Sequence, residues 1–385
     1  MKIVLAPDSF KRSLDAPAVA EALHRGLREQ IPTADIHCVP IADGGEGSLD
    51  VVMAAGGERV ASTVLDSDSA SIRAEFGLME NRTAAFVEIA QACGLQQSTP
   101  GAQDVLRATS YGVGQLIAAA LDHDVSRLVI GLGGSATNDG GGGMLQALGA
   151  RFFDQQGALI DTPLTGGLIG EVADIDLGRL DSRIDGCEIL IASDVDNPLL
   201  GNDGATYTFG AQKGADDATL ALLEQNLCSM YDILEQRVDF SVRSDAGAGA
   251  AGGIGAALRA CAGATFRNGF DLISELIGFR GYLDRADLVV TGEGRLDQQT
   301  LSGKAPLGVS RICRTLDIPV IAVCGSMASE LDEAFSDHFA AIEIALTEPV
   351  SEAAAMMNAR QNLYRAGARI GRWLQLREAL AATSH

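Results

Sequence analysis

Lysine is almost absent from this chain of 385 residues: there are four, against twenty-five arginines. Aromatic residues are also scarce, 5% with one tryptophan. A buried core must therefore be built from Ala, Val, Leu and Ile, which suits helices packed on parallel strands. The seven cysteines are odd in number, scattered and without a C-x-x-C pair. That usage argues against a disulfide framework and fits a reducing cytoplasm. The histidines (His24, His37, His123, His338, His385) avoid every glycine-rich segment, which removes Ser-His-Asp hydrolysis and His-ligated zinc from the main readings. No apolar run approaches a membrane span, and the stretch after Met1 and Lys2 is too short for a signal peptide. Positive charge is deficient overall. A net charge of -22 leaves no basic face for nucleic acid or for an anionic membrane. The expectation is a cytoplasmic protein, monomer or homodimer, whose partners are small molecules.

What is present is apolar bulk and glycine. An apolar content of 47% and a mean hydropathy of +0.14 describe a well-filled globular chain long enough for two domains. The start, KIVLA, then a helix over 15–29 and a strand at 35–39, reads as a βαβ unit. The far end repeats that texture: strands at 286–292, 318–325 and 340–346, helices from about Pro306 to Leu316 and near 329–335, and a long final helix over about 351–380. Between them, 58–66, 71–79 and 83–90 are close-set strand-like runs that predict an antiparallel meander. A helix at 110–122, a strand at 126–131, a helix over 141–149, a hairpin-like stretch near 151–160, a strand at 187–193 and helices near 216–236, 250–261 and 269–278 follow. The fold class expected is α/β with two domains. A parallel-sheet domain is made from both chain ends (1–63 and 285–385), and a mixed α/β domain (64–284) is inserted between them.

Five segments follow the predicted strands, where open α/β sheets bind ligands. GLGGSATNDGGGG at 131–143 offers Gly131, Gly133 and Gly134 for close backbone approach, Ser135, Thr137 and Asn138 as polar groups, and a helix start, together a candidate phosphate cradle. It is neither a Walker A loop nor a dinucleotide fingerprint. ADGGEG at 42–47 carries Asp43 and Glu46, suited to Mg²⁺ or a substrate hydroxyl, or to capping the helix near Ser48. SDVDNP presents Asp194 and Asp196, a place for a base or metal ligand. TGEGRLDQQTLSGKAP presents Glu293, Asp297, Thr300, Ser302 and Lys304. A cation such as Lys304 at a helix start is unfavourable unless an anion lies against it. APDSFKR presents Lys11 beside Arg12. Three of the four lysines, Lys11, Lys213 and Lys304, thus stand in or shortly after these loops, the last two beside glycines, where a compact ammonium can meet a small anion. Glycine, carboxylates, lysine and hydroxyls make the inventory of phosphoryl transfer with Mg²⁺.

The segments APDSFK, ADGGEG, GLGGSATNDGG, SDVDNPL, QKGA, GAGAAGG and TGEGRLDQQTLSGKAP resemble the type I bacterial glycerate kinases, from residue 6 to about 308. Two positions depart from the family pattern: Arg12 and Ala211 stand where Gly and Pro are expected. The resemblance implies a flavodoxin-like domain from both ends and an insert like the restriction-endonuclease core, with the active site in the cleft between domains. It also implies transfer of the γ-phosphoryl of ATP to D-glycerate, giving 2-phosphoglycerate. From the inventory of these loops Asp194 is expected as the base, with Lys11 and Lys213 as further catalytic groups. Lys11, Arg12 and Asp43 would bind glycerate. Gly131, Gly133, Gly134, Ser135, Thr137, Asn138 and Lys304 would hold ATP, and Asp43, Asp194, Asp297 and Glu293 would hold Mg²⁺. A kinase of another small hydroxy acid, or a non-catalytic metabolite sensor, stays open.

Overall fold

The computed structural model describes residues 1–95, 104–301, 304–328 and 332–383. In chain order its strands are β1 (Lys2–Pro7), β2 (Asp35–Cys38), β3 (Glu58–Leu65), β4 (Ser71–Met79), β5 (Ala84–Glu88), β6 (Arg127–Gly131), β7 (Arg151–Asp154), β8 (Val172–Asp176), β9 (Glu188–Ala192), β10 (Thr265–Arg267), β11 (Leu288–Leu296), β12 (Val320–Met327) and β13 (Ala341–Ile344). The chain folds into two compact units. The first comprises Met1–Asp43, Asp50–Ala55 and Phe270–His385, and the second Gly44–Leu49 and Gly56–Gly269.

The first unit is built on a five-stranded sheet in the order β13-β12-β11-β1-β2, with every pair parallel. Its central strands are continuous apolar runs because both faces are covered: Ile3 to Ala6, Val289 and Val290 have no exposed surface. The helix Ala16–Gln30 starts where the Asp15 carboxylate accepts the Ala18 N–H at 2.7 Å, an N-cap followed by proline in the first turn. Its Leu23 and Leu27 share a core with Leu363, Ala366 and Ile370 of the helix Ala359–Thr383. The single final helix expected over 351–380 is two helices, Glu352–Met357 and Ala359–Thr383. Asn358 separates them, with non-helical φ −98° and ψ 9°, and its Nδ2 donates to the Ala354 carbonyl at 3.0 Å, a local bond that competes with helix continuation. The helix expected near 329–335 begins outside the described residues; Asp332–Ser336 is helical. Strand order reverses between β1 and β11, and the carboxyl ends of the strands at such a switch point form a crevice.

The second unit holds a six-stranded sheet, β10-β9-β6-β5-β4-β3. β3, β4 and β5 pair antiparallel, as their alternation predicts. β5, β6, β9 and β10 run parallel. Two features differ from expectation. β10 has only three residues and no apolar alternation to announce it. The hairpin expected within 151–160 is mainly a pairing of β7 with the distant β8, leaving one bridge between Phe153 and Leu159. The helix Asp217–Val238 presents Leu223, Leu227, Met230, Tyr231 and Leu234 to the core as a buried stripe.

Candidate functional site

In the first unit the parallel register delivers charged residues to one level. Asp8 follows β1 directly and its N–H donates to the Gly292 carbonyl of β11 at 2.8 Å. Beyond β2 the N–H groups of Val39 and Ile41 donate to Leu5 and Pro7, so the chain stays beside β1 and carries Asp43 towards Asp8. Asp8 is buried. Burial first, then the nearby Asp43, pushes its carboxyl well above the usual carboxylate range; the Ser9 N–H and Lys11 pull the other way, while Glu293 adds to the rise. Burial likewise raises the Glu293 carboxyl, against the lowering influence of Lys304, Thr300 and Lys11. The Glu293 Oε1 accepts the Thr300 hydroxyl at 2.7 Å, and its Oε2 lies 3.6 Å from the Lys304 ammonium. The anion that Lys304 needs at its helix start is therefore supplied by the protein. Asp297 stands in the same loop and closes it, its N–H donating to the Thr300 hydroxyl at 3.1 Å. Ser302 lies outside the described residues.

Asp8 belongs to this charged group, although the sequence pattern does not single it out. The strand-end argument that selects Asp43 applies equally to it, but its place before Ser9 makes it look like an ordinary turn residue.

Arg12, expected among the substrate-binding residues, turns outward. Its side chain is 69% exposed and pairs with Glu352 at 3.6 Å, and it does not line the cavity that Lys11 lines. Its φ of +63° gives physical content to the departure from glycine, because the left-handed region costs an L-residue about 1–2 kcal/mol. Glycine's greater loss of chain entropy offsets about 0.5–1 of that, and so exposed an ion pair contributes little. Arg12→Gly is expected to stabilise the protein by about 0.5–1 kcal/mol, read from urea unfolding; a lower midpoint would refute the strain.

In the second unit the glycine-rich loop after β6 is shaped by another backbone. Gly131 ends β6 beside the Gly44 carbonyl, and a side chain at Gly133 would collide with the backbone of Gly45. The Gly133 N–H already donates to Gly44 at 3.2 Å. Gly134 is exposed with φ +79°, a conformation that favours glycine whatever the surroundings. The N–H groups of Leu132, Ala136, Gly140 and Gly142 are committed to carbonyls. Those of Gly141 and Gly143 go to the fully buried Asp139 carboxylate, which also accepts the Ser110 N–H and hydroxyl, each at 2.7 Å. Asp139 thus occupies the helix start expected to attract a phosphate. Thr137 and Asn138, expected to face the nucleotide, are fully buried, and Thr137 Oγ1 and Asn138 Oδ1 find no hydrogen-bond partner among the described residues. Of the polar groups of the cradle, Ser135 keeps slight exposure at 7%.

Lys213 reaches this loop from the turn Ala211–Lys213. It is 3% exposed, and its ammonium donates to Ser135 Oγ at 3.2 Å and to the Thr137 carbonyl at 2.7 Å. Among the described residues no carboxylate forms an ion pair with it. Burial lowers its pKa to about 8, against smaller raising influences from Cys93 and Asp139. Asp194, just past β9, receives the Asn268 Nδ2 at 2.5 Å and the Gly269 N–H at 2.7 Å on Oδ1. Glu88, 1% exposed, accepts the N–H groups of Gly47 and Leu49 at 3.1 and 2.8 Å, taking the capping role that Asp43 or Glu46 could have filled. Among the described residues no group of three or more His, Cys, Asp or Glu is arranged to hold a metal ion, and no helix is long and apolar enough to cross a membrane.

A family model described as the Glycerate kinase family matches residues 3–375. The chain is 44% identical over 331 residues to the Glycerate kinase of Bacillus subtilis (strain 168), covering 86% of both chains. It is 39% identical over 378 residues to the Glycerate 2-kinase of Escherichia coli (strain K12), covering 98% of both. Its structure is similar to a crystal structure assigned to glycerate kinase 2 of Salmonella typhimurium LT2, with TM-score 0.85 and 40% identity over 98% of this chain and 99% of that one.

Proposed function

Given that the chain belongs to the glycerate kinase family, we propose that it transfers the γ-phosphoryl of ATP to the 2-hydroxyl of D-glycerate in the cytoplasm, forming 2-phosphoglycerate and ADP. The observation that carries this reading is Lys213, a buried ammonium whose hydrogen bonds among the described residues go only to neutral oxygens, Ser135 Oγ and Thr137 O. A buried cation without a paired anion is costly, and a phosphoryl group in transfer is an anion that would match it. Lys213 and Ser135 are assigned to that group.

Lys11 and Lys304 are assigned to the nucleotide's phosphates. Asp43 and Glu293 are assigned to Mg²⁺, because Asp43 adds to the rise that burial gives the carboxyls of Asp8 and Glu293, and a cation relieves such crowding of negative charge. Mg²⁺ would be held by Asp43 and Glu293 together with phosphate oxygens, and when bound it would neutralise phosphate charge; Asp297, in the loop after Glu293, is assigned to the same ion. Asp194, oriented through Oδ1 by Asn268 and Gly269, is assigned to take the hydroxyl proton as that oxygen bonds to phosphorus and ADP departs. Arg12 has no role in binding, so Arg12→Gly is expected to leave the KM for D-glycerate within twofold.

The test is a coupled ADP-release assay with Mg²⁺ and a panel of small hydroxy acids, followed by identification of the phosphoglycerate isomer. D-Glycerate should be turned over best and yield the 2-phospho isomer. Preference for another acid would remove the acceptor assignment, and the 3-phospho isomer would remove the 2-hydroxyl.

A further inference from the structure

The first unit contains a cavity of about 580 Å³ over the carboxyl ends of its parallel strands. Ser9 to Lys11 follow β1, Glu293 to Asp297 end β11, Gly325 and Ser326 lie in β12, and Ala345 and Leu346 follow β13; all of them line it. Its volume falls in the range of roughly 300–1,000 Å³ that drug-sized ligands occupy and far exceeds what a three-carbon acid fills.

The lining is divided in kind. Lys11, Glu293, Arg295, Asp297 and Lys304 carry charge. Phe10, Leu346, Val350, Met356 and Leu363 are apolar. The break at Asn358 belongs to this division, since both final helices contribute to the wall, Ala355 and Met356 from one and Ala359 and Leu363 from the next. Of the polar side chains beside these apolar groups, Ser13 donates to the Met356 carbonyl at 2.9 Å and Glu352 pairs with Arg12 at 3.6 Å; with them stands Asn362. It is half-buried, and no hydrogen bond holds its carboxamide among the described residues. A carboxamide in an apolar wall can both donate and accept, the pattern that the edge of adenine presents. An apolar chamber with a few fixed polar groups, opening on two lysines, has the chemistry of a nucleoside attached to phosphates.

We propose that this cavity binds the adenosine of ATP, with the base against the apolar wall and paired with Asn362, and the phosphates directed to Lys11 and Lys304. The proposal rests on the phosphoryl-transfer reading and deepens it: the nucleotide is recognised by the unit made from the chain ends, and not by the glycine-rich loop of the other unit.

The test is calorimetric titration of the full chain with Mg·ADP, compared with Asn362→Leu, which removes the carboxamide, and Ala355→Trp, which fills the chamber. Both variants should bind Mg·ADP at least tenfold more weakly. Asn362→Leu should also lose the preference for ATP over GTP in kcat/KM while its KM for D-glycerate stays within twofold; a variant that merely misfolds would lose both. Absence of Mg·ADP binding to the unaltered chain, or unchanged affinity in both variants, overturns the proposal. Turnover of D-glycerate with nucleotide binding indifferent to both changes sinks this site and spares the kinase reading. Weakened Mg·ADP binding in both, with no acid of the panel phosphorylated, retains the site and sinks the acceptor.

Discussion

Replacing Lys213 by methionine is expected to lower kcat by about 10²–10³, the usual worth of one preorganised donor to developing charge, while the unfolding free energy falls by no more than about 1 kcal/mol. The two halves of that expectation have different causes. The folded protein lowers the lysine's pKa from 10.5 to about 8 through burial. Below pH 8 both folded and unfolded chains carry the proton, and the folded state bears the full cost of the buried charge, about 3 kcal/mol at 1.36 kcal/mol per pKa unit. Between pH 8 and 10.5 only the unfolded chain binds the proton, so stability rises with pH across that window. Methionine removes the buried charge, and that gain offsets the hydrogen bonds lost at Ser135 Oγ and the Thr137 carbonyl, about 1–3 kcal/mol for each group left unsatisfied. A lysine kept only for structure would show the opposite result, with turnover preserved and stability lost.

The same residue sets a pH limb. Since the ammonium is the working form, kcat/KM, which reports the free enzyme, should fall as pH rises through about 8, and that limb should be missing from Lys213→Met. Turnover near the wild-type rate in the methionine variant, or a limb that persists in it, would remove Lys213 from the reaction.

What the sequence made legible follows from what side-chain patterns encode. β1 and β11 could be read because strands buried on both faces must be continuous apolar runs, and β3 to β5 because a half-buried meander must alternate. The glycine-rich loop was located after β6, but its purpose was not legible: a phosphate and a second backbone both forbid a Cβ, and here the second backbone is Gly44 and Gly45. Likewise the anion demanded by Lys304 could be a ligand or a protein group, and Glu293 lies eleven positions earlier on a different element. Arg12 shows both sides of the limit. Its departure from glycine was visible in the letters and corresponds to a left-handed φ, yet the direction of its side chain, out to Glu352, depends on a helix more than three hundred residues away. The break at Asn358 was hidden because apolar periodicity continues through it, whereas the competing bond to Ala354 is a property of one side chain.

The largest stability effect is expected at Asp139. Its carboxylate lies wholly inside the second unit and accepts from the Ser110 N–H and hydroxyl and from the N–H groups of Gly141 and Gly143. Burial raises its pKa, and these donors oppose the rise, those of Ser110 first. Asp139→Ala would leave all of them without that acceptor in a site with no room for bulk solvent. Each unsatisfied buried group costs about 1–3 kcal/mol, so a loss of about 4 kcal/mol or more is expected from a total that is typically about 5–15; little folded protein should be recovered. Asp139→Asn is the measurable variant. It keeps one acceptor oxygen but turns an NH₂ group towards N–H donors, and should lower stability by about 2–4 kcal/mol in urea unfolding. Because Gly141 to Gly143 begin the helix that follows the glycine-rich loop, the same change should loosen the loop that carries Ser135, and amide exchange at Gly141 and Gly143 should accelerate. An unchanged urea midpoint in Asp139→Asn would mean that the loop is held by its backbone packing on Gly44 and Gly45 and not by this carboxylate.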